Sequence, residues 1–228
     1  MADSEEQTES KRPGLFCLEG DWDDGSRETH QFTKLSVRPM LELIEFMDYS
    51  GGTIHRDTAT RAEFEYYLDR WLALPPKDYP LAYLASHGGT GSISLSYTDD
   101  PAGGRTWDSI TLTDLRRRIK RKGRGRVLYF GSCEVMKAET ATLQEFCLDT
   151  GISALVGYTE TVDWLESAAC DLLVLARLMD IVASDGPKLR SLDGRSFRHL
   201  ADYLNEKHHG FARDLGFKIV TATWASTP

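Results

Sequence analysis

The chain has 228 residues, 35 acidic and 27 basic side chains and a formal charge of −8, the profile of one soluble domain able to bury a core without disulfide or metal staples. An acidic balance disfavours a protein that coats nucleic acid, since phosphate binding relies on clustered Lys and Arg. Cysteines at 17, 133, 147 and 170 form no CxxC pair, which points to a reducing compartment rather than a zinc cage or disulfide framework. No stretch approaches the ~18 apolar residues of a membrane span, and no apolar core follows the N-terminal charges. The expected setting is therefore cytoplasmic, with no membrane partner.

Residues 1–12 are polar and aperiodic, a predicted disordered tail, and residues 13–228 form the predicted domain. From there apolar strands alternate with helical patterns, the signature of an α/β domain built on a largely parallel sheet. The predicted strands are Leu15 to Leu18, Thr53 to His55, Leu81 to Ser86, Val127 to Gly131, Ala154 to Tyr158 and Lys218 to Thr223. Between the first two, Ser36 is placed as the cap of a helix with Val37, Met40, Leu41, Ile44 and Met47 on one face. Thr60 with Glu63 forms a capping box before Phe64, Tyr67, Leu68 and Trp71. Ile93, Leu95 and Tyr97 alternate with serines in a hairpin strand that turns through DDPAGG and returns over Trp107 to Ile110. Thr111 with Asp114 caps the next helix, Leu165 to Val182 is a long apolar one, and Ser196 is placed as the cap of another reaching Leu204.

In an open parallel sheet, reactive groups collect beyond the carboxyl ends of the strands. The third strand, LAYLASHGG, delivers His87 there, and the fourth, RVLYFGSCE, delivers Cys133. Neither residue type alone means much, because cysteine is commonly a buried filler. Matched at the ends of two apolar strands, they make a nucleophile and the imidazole that takes its proton and returns it to a leaving amine. The backbone N–H groups of Gly88 and Cys133 are candidates for an oxyanion hole. Cys17, Cys147 and Cys170 fall at apolar positions and are predicted core fillers.

The segments LASHGGTGSISL and VLYFGSC resemble the caspase-like cysteine peptidases, where an apolar strand ends in Ser-His-Gly and a later one ends in a small residue and the nucleophile. ISALVGYTETVDWLESAACDLL is similar to the bacterial CHAT branch of that clan. The resemblance implies a single caspase-like domain, a six-stranded mostly parallel sheet sandwiched by helices, and a cysteine endopeptidase acting in regulated bacterial proteolysis or defence. It implies no cofactor, and as partners a protein or peptide substrate and a regulatory protein. The chain departs from the clan in having Gly131 and Ser132 before the nucleophile, so substrate selection does not carry over. The resemblance also implies that the loop after the first strand, EGDWDDG, lies beside the first specificity pocket. Asp21, Asp23 and Asp24 there, with Asp163 after the fifth strand, would favour Arg or Lys in the substrate.

Two competing readings stand beside this one: a catalytically silent caspase-like interaction module, and a polyanion-binding domain. The second rests on RRRIKRKGRGR, residues 116–126, with eight basic residues in eleven. That run has no interleaved aromatics, so nucleic acid is an unlikely partner. No metal constellation is evident, and the acidic loop at 21–24 gives calcium no positive support.

Overall fold

The computed structural model describes residues 12–23, 35–99, 103–185 and 194–227. Its centre is a six-stranded sheet of β1 (Leu15–Glu19), β2 (Thr53–Asp57), β3 (Leu81–Ala85), β7 (Val127–Gly131), β8 (Ala154–Tyr158) and β9 (Phe217–Val220), in the order β2-β1-β3-β7-β8-β9. All pairings are parallel except β8 with β9. A separate three-stranded antiparallel sheet, β4 (His87–Gly89), β5 (Ser92–Asp99) and β6 (Arg105–Thr111), is inserted after β3. The α/β class, the strand positions and the hairpin agree with expectation; the turn residues 100–102 lie outside the described residues.

Apart from the half-buried to exposed edge strand β2, the strands of the six-stranded sheet are buried on both faces, as near-continuous apolar runs require. Leu15, Cys17, Tyr83, Tyr129 and Val156 face α1 (Arg38–Phe46), α5 (Trp164–Asp185) and α6 (Arg195–Lys207). Phe16, Leu18, Leu84, Phe130 and Leu155 face α2 (Arg61–Ala73), α3 (Leu112–Ile119) and α4 (Thr140–Thr150). The remaining helix is α7 (His209–Asp214).

The capping boxes of Thr60 with Glu63 and Thr111 with Asp114 are both formed. Two other expected caps are not. Val37 occupies the cap position of α1; Ser36, one residue earlier, accepts from the Arg38 N–H at 3.1 Å while its hydroxyl donates to Glu19 Oε2 at 2.8 Å. Gly194, in the left-handed region at φ 65°, precedes α6, so Ser196 lies inside that helix. Met47 falls just past α1 and is half exposed rather than on its buried face.

After β1 the chain turns aside to β2, while β3 returns on the other flank of β1 and continues towards β7. The loops following β1 and β3 diverge at this reversal and leave a crevice at the carboxyl edge. No helix among the described residues is long and apolar enough to cross a membrane.

Candidate active site

Strand register decides which residues meet at that edge. Leu81 pairs with Val127 and Ala85 with Gly131, so residues 46 apart lie side by side. One step past the pairing stand Ser86 and Ser132, and the next step brings His87 and Cys133 level. Both line one cleft of about 470 Å³ with Trp22, Val162, Trp164 and Asp171.

His87 is oriented by β1's loop. Its Nε2 lies 3.1 Å from the Trp22 carbonyl oxygen, which can only accept, so Nε2 carries the proton and the neutral ring keeps its lone pair on Nδ1. Trp22 and Trp107 stand edge-on to the imidazole, with centroids at 5.5 and 5.6 Å. Cys133 is half-buried, and its Sγ accepts from the Val162 N–H at 3.4 Å. Among the described residues no hydrogen bond joins His87 to Cys133, a looseness ordinary for catalytic pairs before substrate binds. The other three thiols are buried. Burial pushes Cys147 and Cys170 up to about 12 and Cys17 well above its ordinary value, so Cys133 is the thiol available for chemistry.

Gly88 lies directly against the backbone of Cys133. A Cβ there would stand 2.4 Å from the Cys133 carbonyl oxygen and 2.9 Å from Ser132 Cβ. Gly88→Ala must therefore displace the end of β7, and it is expected to lower any Cys133-dependent turnover by about 10²-fold, the cost of roughly 1 Å of misplacement. Wild-type turnover in that variant would refute this close packing.

Glu19, at the end of β1, supports the β1 loop from below. It is 2% exposed and accepts from Trp22 Nε1 at 2.6 Å, Val37 N at 2.8 Å, Ser36 Oγ and His55 Nε2 at 2.5 Å. Burial pushes its carboxyl up, but these hydrogen bonds outweigh burial and hold it below its ordinary value. Glu19, His55 and Asp57 lie close enough to hold a cation. However, both Glu19 oxygens are already engaged, and the Arg38 guanidinium sits 3.0 Å from His55 Nδ1. Glu19→Ala would leave four donors facing nothing, and in urea unfolding it is expected to cost about 3–5 kcal/mol. Because the folded pKa is depressed, this stabilisation is present above the unfolded value of about 4.3 and is lost as pH falls through the folded one. An unchanged unfolding midpoint would count against it.

Of the acids expected to set specificity, Asp21, Asp23 and Asp163 are not among the described residues that line the cleft. Asp21 is exposed and accepts from the Asp23 backbone N–H, and Asp24 lies outside the described residues. Asp163 caps α5, accepting from the N–H groups of Leu165 at 2.8 Å and Glu166 at 3.2 Å. The cleft's own carboxylate is Asp171 of α5, which is 3% exposed. It accepts hydroxyl hydrogen bonds from Tyr83 at 2.5 Å, Tyr158 at 2.5 Å and Tyr129. Burial raises Asp171 to about 6 against the pull of those hydroxyls. Burial, then the Asp171 charge, raises all three phenols well above their ordinary value, so they remain donors at neutral pH. Gly131 is small for a reason: a Cβ there would meet the Tyr83 hydroxyl at 2.3 Å.

Sequence reasoning missed Asp171, although a signal existed. It shares the 3–4 residue spacing of Val174, Leu175, Leu178 and Val182, so a charge stands on the buried stripe of α5.

Together these features define an α/β protein with a cysteine and a histidine at the carboxyl edge of its sheet and a buried carboxylate in the same cleft. The chain belongs to a family of unknown function, DUF6642, whose model matches residues 13–184. The matched segment contains His87, Cys133 and Asp171 and ends within α5. No curated protein matches the chain.

Proposed function

We propose that this is a caspase-like cysteine endopeptidase in which Cys133 attacks the scissile carbonyl and His87 moves the proton. The observation that carries the reading is the register: β3 and β7 pair in parallel so that His87 and Cys133 leave the sheet level with one another into one cleft. The Trp22 carbonyl supports it by leaving His87 Nδ1 free to accept the thiol proton. As the thiolate adds to the carbonyl carbon, the carbonyl electrons move to oxygen, where the N–H groups of Gly88 and Cys133 are the candidate donors. His87 then protonates the departing amine, and water attacks the thioester to release the acid and regenerate the thiol.

The substrate side chain entering the cleft is Arg or Lys. Val37, Met40 and Trp164 offer apolar walls to an aliphatic stem, and Asp171 offers a carboxylate to its charged end. In this reading Asp171 takes the acidic role expected of Asp21, Asp23 and Asp163, which do not line the cleft; Asp24 lies outside the described residues.

A mixed peptide library incubated with the wild type and with Cys133→Ala tests both parts. Cuts following Arg or Lys, made by the wild type alone, are the expected result. Equal cleavage by the two proteins, or none by either under reducing conditions, would favour the silent interaction module, and cuts after Asp or large apolar residues would remove the role of Asp171.

A further inference from the structure

At the opposite end of the sheet, the basic run divides into two parts with different electrostatic fates. The helical arginines are neutralised within the fold. Arg116 donates to Asp149 at 2.6 Å and Glu145 at 3.3 Å, Arg117 pairs with Asp114 at 3.6 Å, and Arg118 pairs with Asp69 at 2.7 Å and with Glu65. Lys120, Arg121, Lys122 and Arg124 are exposed, and none meets a carboxylate among the described residues. The footprint is thus narrower than residues 116–126.

Behind the exposed cations stands Arg126, only 1% exposed. Its guanidinium donates to the carbonyls of Leu74 at 2.6 Å, Leu72 at 3.1 Å and Tyr79 at 3.3 Å, and stacks over Trp71 at 4.8 Å. No carboxylate is among these partners, and its buried Nε has no hydrogen-bond partner among the described residues. Burial lowers its pKa to about 10, which leaves it cationic at neutral pH. A buried charge without a counterion is expensive to keep.

The connector is also shaped in advance. Arg121 N donates to Asp149 O at 3.1 Å, Gly123 N to Thr150 O at 2.9 Å, and Ser153 N to Arg126 O at 2.8 Å. A Cβ at Gly123 would stand 2.7 Å from Ile152, so the turn lies flat on the segment leading into β8. Between this turn and the end of α2 opens a cleft of about 530 Å³, lined by Leu74, Pro75, Pro76, Lys122, Arg124 and Arg126.

We propose that this cleft binds a compact phosphate polyanion, an inorganic triphosphate or the triphosphate of a nucleotide. Lys122 and Arg124 supply the direct contacts, and Arg126 supplies fixed charge behind them. The site lies at the amino ends of strands β3 and β7, separated from the dyad by at least their length of roughly 17 Å, so it is a second site and not part of the first. A compact anion fits better than a nucleic acid strand. The free cations occupy one tight turn, and Trp71, the ring beneath them, is buried under Arg126 and closed to base stacking.

Titration calorimetry of the whole chain with sodium tripolyphosphate, at about 0.1 M salt, is the test. The expected result is one site per chain, weakened at least tenfold in Lys122→Gln/Arg124→Gln and little changed in Arg116→Gln/Arg118→Gln, whose charges are already paired. Adenosine triphosphate competing with tripolyphosphate for that site would assign it to nucleotides, and failure to compete would assign it to inorganic polyphosphate. No binding, equal binding by the Lys122/Arg124 variant, or equal loss in both variants would overturn the proposal. So would a single-stranded oligonucleotide that binds more tightly than tripolyphosphate and is not displaced by it.

Discussion

On a peptide cut after arginine, Cys133→Ala and His87→Ala are each expected to lower kcat/KM by about 10³-fold or more, and the double variant is expected to be no worse than the poorer single one. In the proposed mechanism the two residues act on one proton and one bond, so removing either would remove the covalent route, and the second substitution would have nothing left to take away. General acid–base transfer by a positioned imidazole is itself worth about 10²–10⁴-fold. Stability should change little in Cys133→Ala, since the half-buried thiol makes only long hydrogen bonds, accepting from Val162 N at 3.4 Å and donating to Val162 O at 3.9 Å. Independent, multiplying losses in the double variant would mean that His87 and Cys133 do not work on the same step. Full activity in Cys133→Ala would end the peptidase reading.

Much of this frame was legible in the sequence because it rests on local rules. Parallel strands buried on both faces announce themselves as short apolar runs, and the capping boxes at Thr60 and Thr111 need only two residues at a fixed spacing. The pairing of His87 with Cys133 was legible because the two strands end in the same way, and equal register then follows from parallel neighbours. What was not legible depends on side chains that meet from distant elements. Ser36 has the chemistry of a cap, yet its hydroxyl serves Glu19, 17 residues earlier. Gly194 replaces Ser196 at the next cap because a left-handed residue turns the chain there. The acid of the cleft was sought in the Asp-rich loop, where aspartates are also ordinary turn formers. Asp171 escaped notice within an apolar helix, although three tyrosines on three neighbouring strands converge on it.

Under the proposed function, that convergence leads to the second large expected effect, a preference for basic substrates that depends on pH through Asp171. A neutral citrulline peptide is nearly isosteric with the arginine one, so the ratio of their kcat/KM values cancels the titration of the dyad and leaves the charge contact. In the wild type this ratio should be large above pH 7 and fall as pH drops through about 6, where free Asp171 takes up its proton. Asp171→Asn should lower the ratio by about 10²-fold at neutral pH, within the 2–5 kcal/mol usual for removing one partner of a buried charge pair. The loss should appear mainly in KM, because the contact is equally strong before and during bond breaking. Stability carries an independent reading of the same group. A carboxyl whose folded pKa is raised from 3.8 to about 6 binds its proton more tightly when folded. Its stabilising effect is therefore complete below about pH 4 and is lost as pH rises through 6, a change of roughly 3 kcal/mol. Asp171→Asn should abolish that slope, gaining on the wild type between pH 4 and 7 in urea unfolding. A ratio that stays flat from pH 5 to 7.5 and is indifferent to Asp171→Asn would remove the residue from substrate recognition. If the stability slope nevertheless vanished in the variant, the buried carboxylate would stand as a purely structural anchor for the three tyrosines.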